Sequence, residues 1–78
     1  MPVKYYKVYN KSQTLYVTVL ENGTRTIMDG KGHKVLLFEN HVKRLKQGIE
    51  DLGTARYKSS NPSEVVVEEI TREEMPGN

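Results

Sequence analysis

The stretch "TLYVTVLENGTRTIM", residues 14–28, carries the strongest fold signal in this chain of 78 residues. It contains two runs of β-forming residues that flank Asn22-Gly23. Asn-Gly between two such runs is the strongest short-range signal of a β-hairpin, because both residues tolerate a positive φ. We therefore predict strands at residues 14–20 and 24–28. One face of the first strand then carries Leu15, Val17 and Val19.

The segments on either side of this hairpin extend the sheet. Residues 3–9 are rich in aromatic and β-branched residues, which predicts a strand before the polar turn "NKSQ". After the hairpin, Asp29-Gly30 predicts a type I′ turn. The run "VLLF" within residues 33–38 predicts a fourth strand covered on both faces, because its apolar residues do not alternate. The pattern indicates a meander of four antiparallel strands.

The hydrophobic period changes after residue 40. Apolar residues now recur every three or four positions, at Val42, Leu45, Ile49 and Leu52. This spacing predicts one helix over about residues 40–52, with Asn40 as its N-cap and Gly53 as its closing residue. Gly48 inside the helix costs about 1 kcal/mol relative to alanine, so packing must hold the helix in place.

Strand signals return after the helix. Residues 54–58 predict a short strand, residues 59–63 a loop, and residues 64–70, with their run of three valines, a last strand. The fold class is mainly β or α+β: a small curled antiparallel sheet, or a partly open SH3-like barrel, with one short helix before the closing strands. We expect a single domain over residues 1–70. Residues 71–78 form an acidic tail with nothing to bury, and we expect it to be mobile.

Composition excludes several classes of chemistry. The chain contains no cysteine, so disulfides and thiolate metal sites are excluded, and two histidines do not make a closed zinc site. No arrangement of nucleophile, base and acid is evident, so we expect neither an enzyme nor a cofactor or small-molecule substrate. No stretch has the length and hydropathy of a signal peptide or membrane span, which predicts synthesis in the cytoplasm without secretion. A chain this small is expected to gain stability from a partner chain.

Charge is divided along the chain. Residues 1–63 carry a net charge of +6 and residues 64–78 a net charge of −4. Within "GKGHK", residues 30–34, the glycines lack the spacing of a phosphate-binding Walker loop, so a hairpin turn is the better interpretation. The basic body could still face nucleic acid or an acidic protein surface. The candidate contacts are Lys31, Lys34, Lys43, Arg44 and Lys46.

Tyrosines and valines supply the candidates for a protein interface. Tyrosines on a sheet with interleaved lysines could stack nucleic-acid bases, but core or protein-interface duty is the better interpretation. The valine run near the chain's end is either the closing strand of the sheet or an arm that adds to a neighbour's sheet edge. The interface candidates are Tyr5, Tyr9, Tyr16, Val65, Val66, Val67 and Ile70.

The order of three segments, "YKVYNKS", "LYVTVLENGTRTIM" and "KVLLFENHVKRLKQGIEDLG", resembles small β-rich virion accessory proteins encoded among bacteriophage structural genes. The resemblance covers about residues 4–58. It implies a non-enzymatic structural or assembly protein of a phage particle (capsid decoration, neck or tail accessory). Its partners would be other virion proteins or further copies of itself as a homo-oligomer, and its location the virion. In the resembled pattern a strand follows the helix at once, whereas here the connection is longer. The alternative is a small nucleic-acid-binding or host-regulatory module that uses the basic face.

Overall fold

The computed structural model describes residues 3–36, 42–54 and 65–77. In chain order the elements are β1 (Lys4–Tyr9), β2 (Thr14–Val19), β3 (Arg25–Met28), α1 (Lys43–Glu50) and β4 (Val66–Ile70), with short 3₁₀ turns at Asp51–Thr54 and Arg72–Glu74. The four strands form one antiparallel sheet in the order β3-β2-β1-β4. The predicted fold class, a small, mostly β unit with one short helix, is confirmed.

One face of the sheet carries the core, and we term it the inner face. Helix α1 packs on it against β1 and β4. Among the described residues, the side chains buried in this core cluster are Tyr6, Val8, Leu15, Val17, Val42, Leu45, Ile49, Leu52, Val65 and Val67. All four apolar residues predicted to line the helix are among them. The strand alternation is also confirmed, because Leu15 and Val17 are fully buried.

Gly48 is the point of closest approach between helix and sheet. A Cβ atom placed on Gly48 would lie 2.5 Å from Cγ1 of Val65 and 3.2 Å from Cγ1 of Val8. The C-terminal end of the helix is held by Arg25 of β3, whose Nη1 donates a hydrogen bond to the carbonyl oxygen of Ile49. A cation is favourable at a helix C-terminus, where the carbonyl groups have no intrahelical partner.

The predicted hairpin between β2 and β3 is confirmed, but its turn differs from the prediction. The amide of Gly23 donates to the carbonyl of Leu20 (2.9 Å), and the amide of Leu20 donates to the carbonyl of Thr24 (2.8 Å). Glu21 and Asn22 are therefore the central pair of the turn. Gly23 follows them with φ +88°, the left-handed position that three-residue hairpin loops place after the turn.

The turn after β3 is built in the same way, so the predicted type I′ turn centred on Asp29-Gly30 is wrong. The amide of Gly32 donates to the carbonyl of Asp29 (3.1 Å), which makes Gly30 and Lys31 the central pair. Gly32 takes the positive φ, +86°. The Asp29 carboxylate accepts hydrogen bonds from the amides of Lys31 and His33, each at 2.9 Å. These two bonds lower the pKa of Asp29, the one from His33 contributing most.

The predicted fourth strand is reduced to a single bridge in its described part, residues 33–36. Lys34 pairs with Met28, and the amide of Val35 donates to the carbonyl of Ile27 (3.2 Å). Val35 packs against the core, but Leu36 is 73% exposed. The expectation that this segment is covered on both faces is therefore wrong at Leu36. Leu37 and Phe38 lie outside the described residues.

The helix is shorter than its predicted range. It starts after Val42, which provides no side-chain cap, and the predicted cap Asn40 lies outside the described residues. The α-helix ends at Glu50, and Gly53, predicted to close it, belongs to the 3₁₀ turn that follows. Thr54, the first residue of the strand predicted at residues 54–58, belongs to that turn and not to a strand. Residues 55–58 lie outside the described residues.

The C-terminal segment is ordered into a turn that returns to the body of the molecule. Thr71 and Glu74 form a capping box, in which the Glu74 carboxylate accepts from the Thr71 amide (3.0 Å). Met75 is only 7% exposed. A Cβ atom on Gly32 would lie 3.5 Å from Cα of Gly77, so the segment contacts the turn that follows β3. The expectation that this segment buries nothing is wrong, because the segment buries Met75. The acidic charge of the segment gives no indication of this apolar residue.

Candidate docking face

The face of the sheet opposite the core is the strongest candidate for a functional surface. Side chains of a strand alternate between the two faces, so each strand that buries one set presents the other set outward. We term this set the outer face. Its members are Tyr5, Lys7 and Tyr9 from β1; Thr14, Tyr16 and Thr18 from β2; Thr26 and Met28 from β3; and Val66, Glu68 and Ile70 from β4. All eleven are partly exposed, and none is buried.

Strand pairing arranges the outer face in rows. Between β1 and β4, Tyr5 lies opposite Ile70, Lys7 opposite Glu68, and Tyr9 opposite Val66. An aromatic–aliphatic row thus stands on each side of one charged row. The row of Lys7 and Glu68 extends into β2 with an uncharged residue, Tyr16, which lies opposite Lys7. Aromatic and β-branched residues facing each other across strands stabilise the sheet itself as well as presenting apolar surface.

A small polar network organises the β1–β4 part of the outer face. The Tyr9 hydroxyl donates a hydrogen bond to Oε2 of Glu68 at 2.9 Å. The Lys7 ammonium lies 5.0 Å from the centroid of the Tyr9 ring, a cation–π distance. The hydrogen bond to Glu68, then desolvation and the negative charge of Glu68, raise the pKa of Tyr9. Tyr9 therefore keeps its proton at neutral pH, and the network serves to position side chains.

Strand register divides the predicted interface residues between the two faces. Tyr5, Tyr9, Tyr16, Val66 and Ile70 come together on the outer face. Two further candidates, Val65 and Val67, are 4% exposed and belong to the core on the inner face. Of the two interpretations of the valine run, the structure shows the closing strand, paired with β1 of the same chain.

The predicted basic candidates do not form one patch. Lys43, Arg44 and Lys46 are exposed on α1, which covers the inner face. Lys34 bridges Met28, whose register places it with the outer face, and Lys31 lies in the turn before it. The sheet therefore separates the helix cations from Lys34.

Lys7, Glu68 and Met28 are members of the outer face that sequence reasoning did not single out. Lys7 could have been found, because it shares a strand face with Tyr5 and Tyr9. Glu68 carried no local signal, since its position depends on the pairing of β4 with β1, which are far apart in sequence.

Other kinds of site have little support in the described part of the chain. A shallow cleft of about 100 Å³ lies between α1 and Val65, lined by Arg44, Gln47, Gly48 and Asp51 as well. In residues 3–36, 42–54 and 65–77, no three His, Asp or Glu residues are grouped to hold a metal ion. Over the same ranges, no helix has the length and apolar character needed to cross a membrane.

No protein-family model, curated protein or solved structure matches this chain. The outer face must therefore be interpreted from its own chemistry. It offers tyrosine rings, aliphatic side chains and hydroxyl groups around one pair of opposite charges. Such a surface suits the binding of another protein, because a tyrosine presents an apolar body with a polar tip.

Proposed function

We propose that this protein is a non-enzymatic docking protein that binds another protein through the outer face of its sheet. One observation carries the proposal: six aromatic or apolar side chains line that face, and all are partly exposed. They are Tyr5, Tyr9, Tyr16, Met28, Val66 and Ile70. The solvated face of an antiparallel sheet is normally polar. The apolar and aromatic composition of this face is typical of a surface that another protein covers.

We further propose that docking serves the assembly of a phage particle, as capsid decoration or as a neck or tail accessory. The support is the order of the N-terminal strands, the hairpin and the helix, which resembles that of virion accessory proteins. The proposed partners are other virion proteins or further copies of this chain, in the virion.

The test is co-sedimentation with particles assembled from the products of neighbouring genes. The variant Tyr5→Thr/Tyr16→Thr keeps β-forming residues on the outer face but removes two aromatic rings. We expect it to lose binding by about ten-fold or more, as loss of central aromatic contacts does at protein interfaces. The matched control, Lys43→Glu/Lys46→Glu, changes exposed residues of α1 on the other side of the sheet. We expect this control to sediment like the unmodified protein, and the opposite ranking of the two variants would overturn the proposal.

Binding of nucleic acid is the outcome that would replace this proposal. It would appear as a shift of labelled single- or double-stranded oligonucleotides at low salt, with an affinity that falls steeply as salt rises. We expect no such binding, because the sheet separates the exposed cations of α1 from Lys34. Salt-dependent binding that Lys43→Glu/Lys46→Glu abolishes would assign function to the helix instead.

A further inference from the structure

We infer that the outer face binds a second copy of this chain, with the two sheets stacked face to face about a two-fold axis that runs between β1 and β4. This inference rests on the proposed docking function and names its partner. It comes from the three β1–β4 rows, Tyr5 with Ile70, Lys7 with Glu68, and Tyr9 with Val66. If a second copy of the chain presents the same row with its two members in swapped positions, each residue of the row faces a complementary one. A tyrosine then faces an aliphatic side chain, and a lysine faces a glutamate.

A two-fold axis parallel to the strands makes that exchange. It places β1 of one copy over β4 of the other at the spacing of stacked sheets, about 10 Å. Lys7 then faces Glu68 of the second copy, and Glu68 faces Lys7 of that copy. The rows on either side bring each tyrosine ring against an aliphatic side chain, Tyr5 against Ile70 and Tyr9 against Val66 of the second copy.

The charged row selects this axis over the other face-to-face arrangement. An axis perpendicular to the strands would lay β1 over β1, with Lys7 facing Lys7 and Glu68 facing Glu68 if it ran along the charged row. Like charges brought together at an interface are strongly unfavourable, and opposite charges fix the register of two partners. A two-fold interface uses the same patch on both copies, so one complementary pair supplies two contacts.

The in-chain network prepares this surface for the second copy. The Glu68 carboxylate is held by the Tyr9 hydroxyl at 2.9 Å, and the Lys7 ammonium lies above the Tyr9 ring. Both charges are therefore oriented before association, which reduces the entropy lost on binding. Only two strands of each copy overlap, so the interface is small and we expect a dissociation constant in the micromolar range or weaker.

Sedimentation velocity over about 10 µM to 1 mM protein at low salt tests this dimer. We expect the unmodified chain to associate as concentration rises. Lys7→Glu and Glu68→Lys should each associate at least ten-fold more weakly, because each places like charges on the shared row. A mixture of the two variants should associate again, since the glutamate introduced into β1 of one then faces the lysine introduced into β4 of the other. Neither variant regains an in-chain pair of opposite charges, so repair within one chain cannot explain recovery.

Two matched variants control for net charge. Lys11→Glu makes the charge change of Lys7→Glu in the exposed turn between β1 and β2. Glu69→Lys makes the charge change of Glu68→Lys on β4, at an exposed residue whose register places it with the inner face. Both should associate like the unmodified chain. A chain that stays monomeric at 1 mM, or a mixture no more associated than its two components, would overturn the inference.

Failure of the dimer and failure of docking are distinguishable. A monomeric chain whose particle binding still depends on Tyr5 and Tyr16 would contradict the dimer and support docking to a different protein. A dimer that follows the charge pattern but does not co-sediment with particles would support the inference and contradict the particle role.

Discussion

Gly48 shows, at the scale of one residue, how packing outweighs helix propensity. In an isolated helix glycine is about 1 kcal/mol worse than alanine. Here the missing side chain is what lets α1 rest on Val8 and Val65. Sequence reasoning identified the propensity cost but not the contact, because the contact joins three elements that are distant along the chain.

We expect Gly48→Ala to destabilise the protein by about 1–3 kcal/mol, the usual cost of overpacking a core. Urea unfolding measures the change. Lys46→Ala, at an exposed position of the same helix, is the control and should change stability by less than about 0.5 kcal/mol. Increased stability of Gly48→Ala would mean that the helix does not rest on the sheet at this point.

Tyr9 supplies a prediction about pH at the same scale. Its pKa is raised in the folded protein, chiefly by the hydrogen bond to Glu68. The folded chain therefore holds this proton more tightly than the unfolded chain. The resulting stabilisation is present below the unfolded pKa of about 10 and is lost as pH rises through the folded pKa.

We expect Glu68→Gln to lower the pKa of Tyr9 towards its ordinary value, because it removes the carboxylate that accepts the hydrogen bond of the Tyr9 hydroxyl and whose negative charge opposes tyrosinate formation. An NMR titration of the Tyr9 ring resolves it from the other four tyrosines. Glu69→Gln, on the other side of the same strand, should leave the Tyr9 titration unchanged. Identical titrations of the unmodified chain and Glu68→Gln would contradict the Tyr9–Glu68 contact.

At the scale of elements, regular local patterns were predictable from the sequence and termini were not. The alternation of β2 and the spacing of the helix residues each lie within one element, and both predictions are confirmed. The sequence predicts both turns in the correct segments, but as two-residue turns. The hydrogen bonds of both turns enclose three residues, so the central pair of each lies one position from the predicted pair. The α-helix ends at Glu50, before its predicted end, because a 3₁₀ turn continues the apolar spacing as far as Leu52.

The C-terminal segment is the element for which charge was most misleading. Its glutamates indicated a solvated tail, but Glu74 caps a turn and Met75 is buried. We expect Met75→Ala to destabilise the protein by about 2–4 kcal/mol in urea unfolding, as truncation of a buried methionine does. Met75→Leu keeps the apolar volume and should cost less than about 1.5 kcal/mol. Equal urea midpoints for Met75→Ala and the unmodified chain would show that the segment contributes nothing to stability.

At the scale of the whole molecule, the sheet separates two surfaces of different chemistry. The inner face and α1 enclose the core, and exposed cations lie on the outside of the helix. The outer face carries tyrosines and aliphatic residues in rows. Sequence alternation could assign residues to two faces within one strand. It could not align the rows, because the β1–β4 register joins residues about sixty positions apart, such as Tyr9 and Glu68.

A density map of the assembled particle with this protein bound tests the central claim most directly, since it shows which surface is covered. We predict that the outer face, including Tyr5, Tyr9 and Tyr16, lies in contact with another protein chain. The exposed cations of α1 should then remain on the solvent side. A map in which α1 makes the contacts and the outer face is bare would contradict the account.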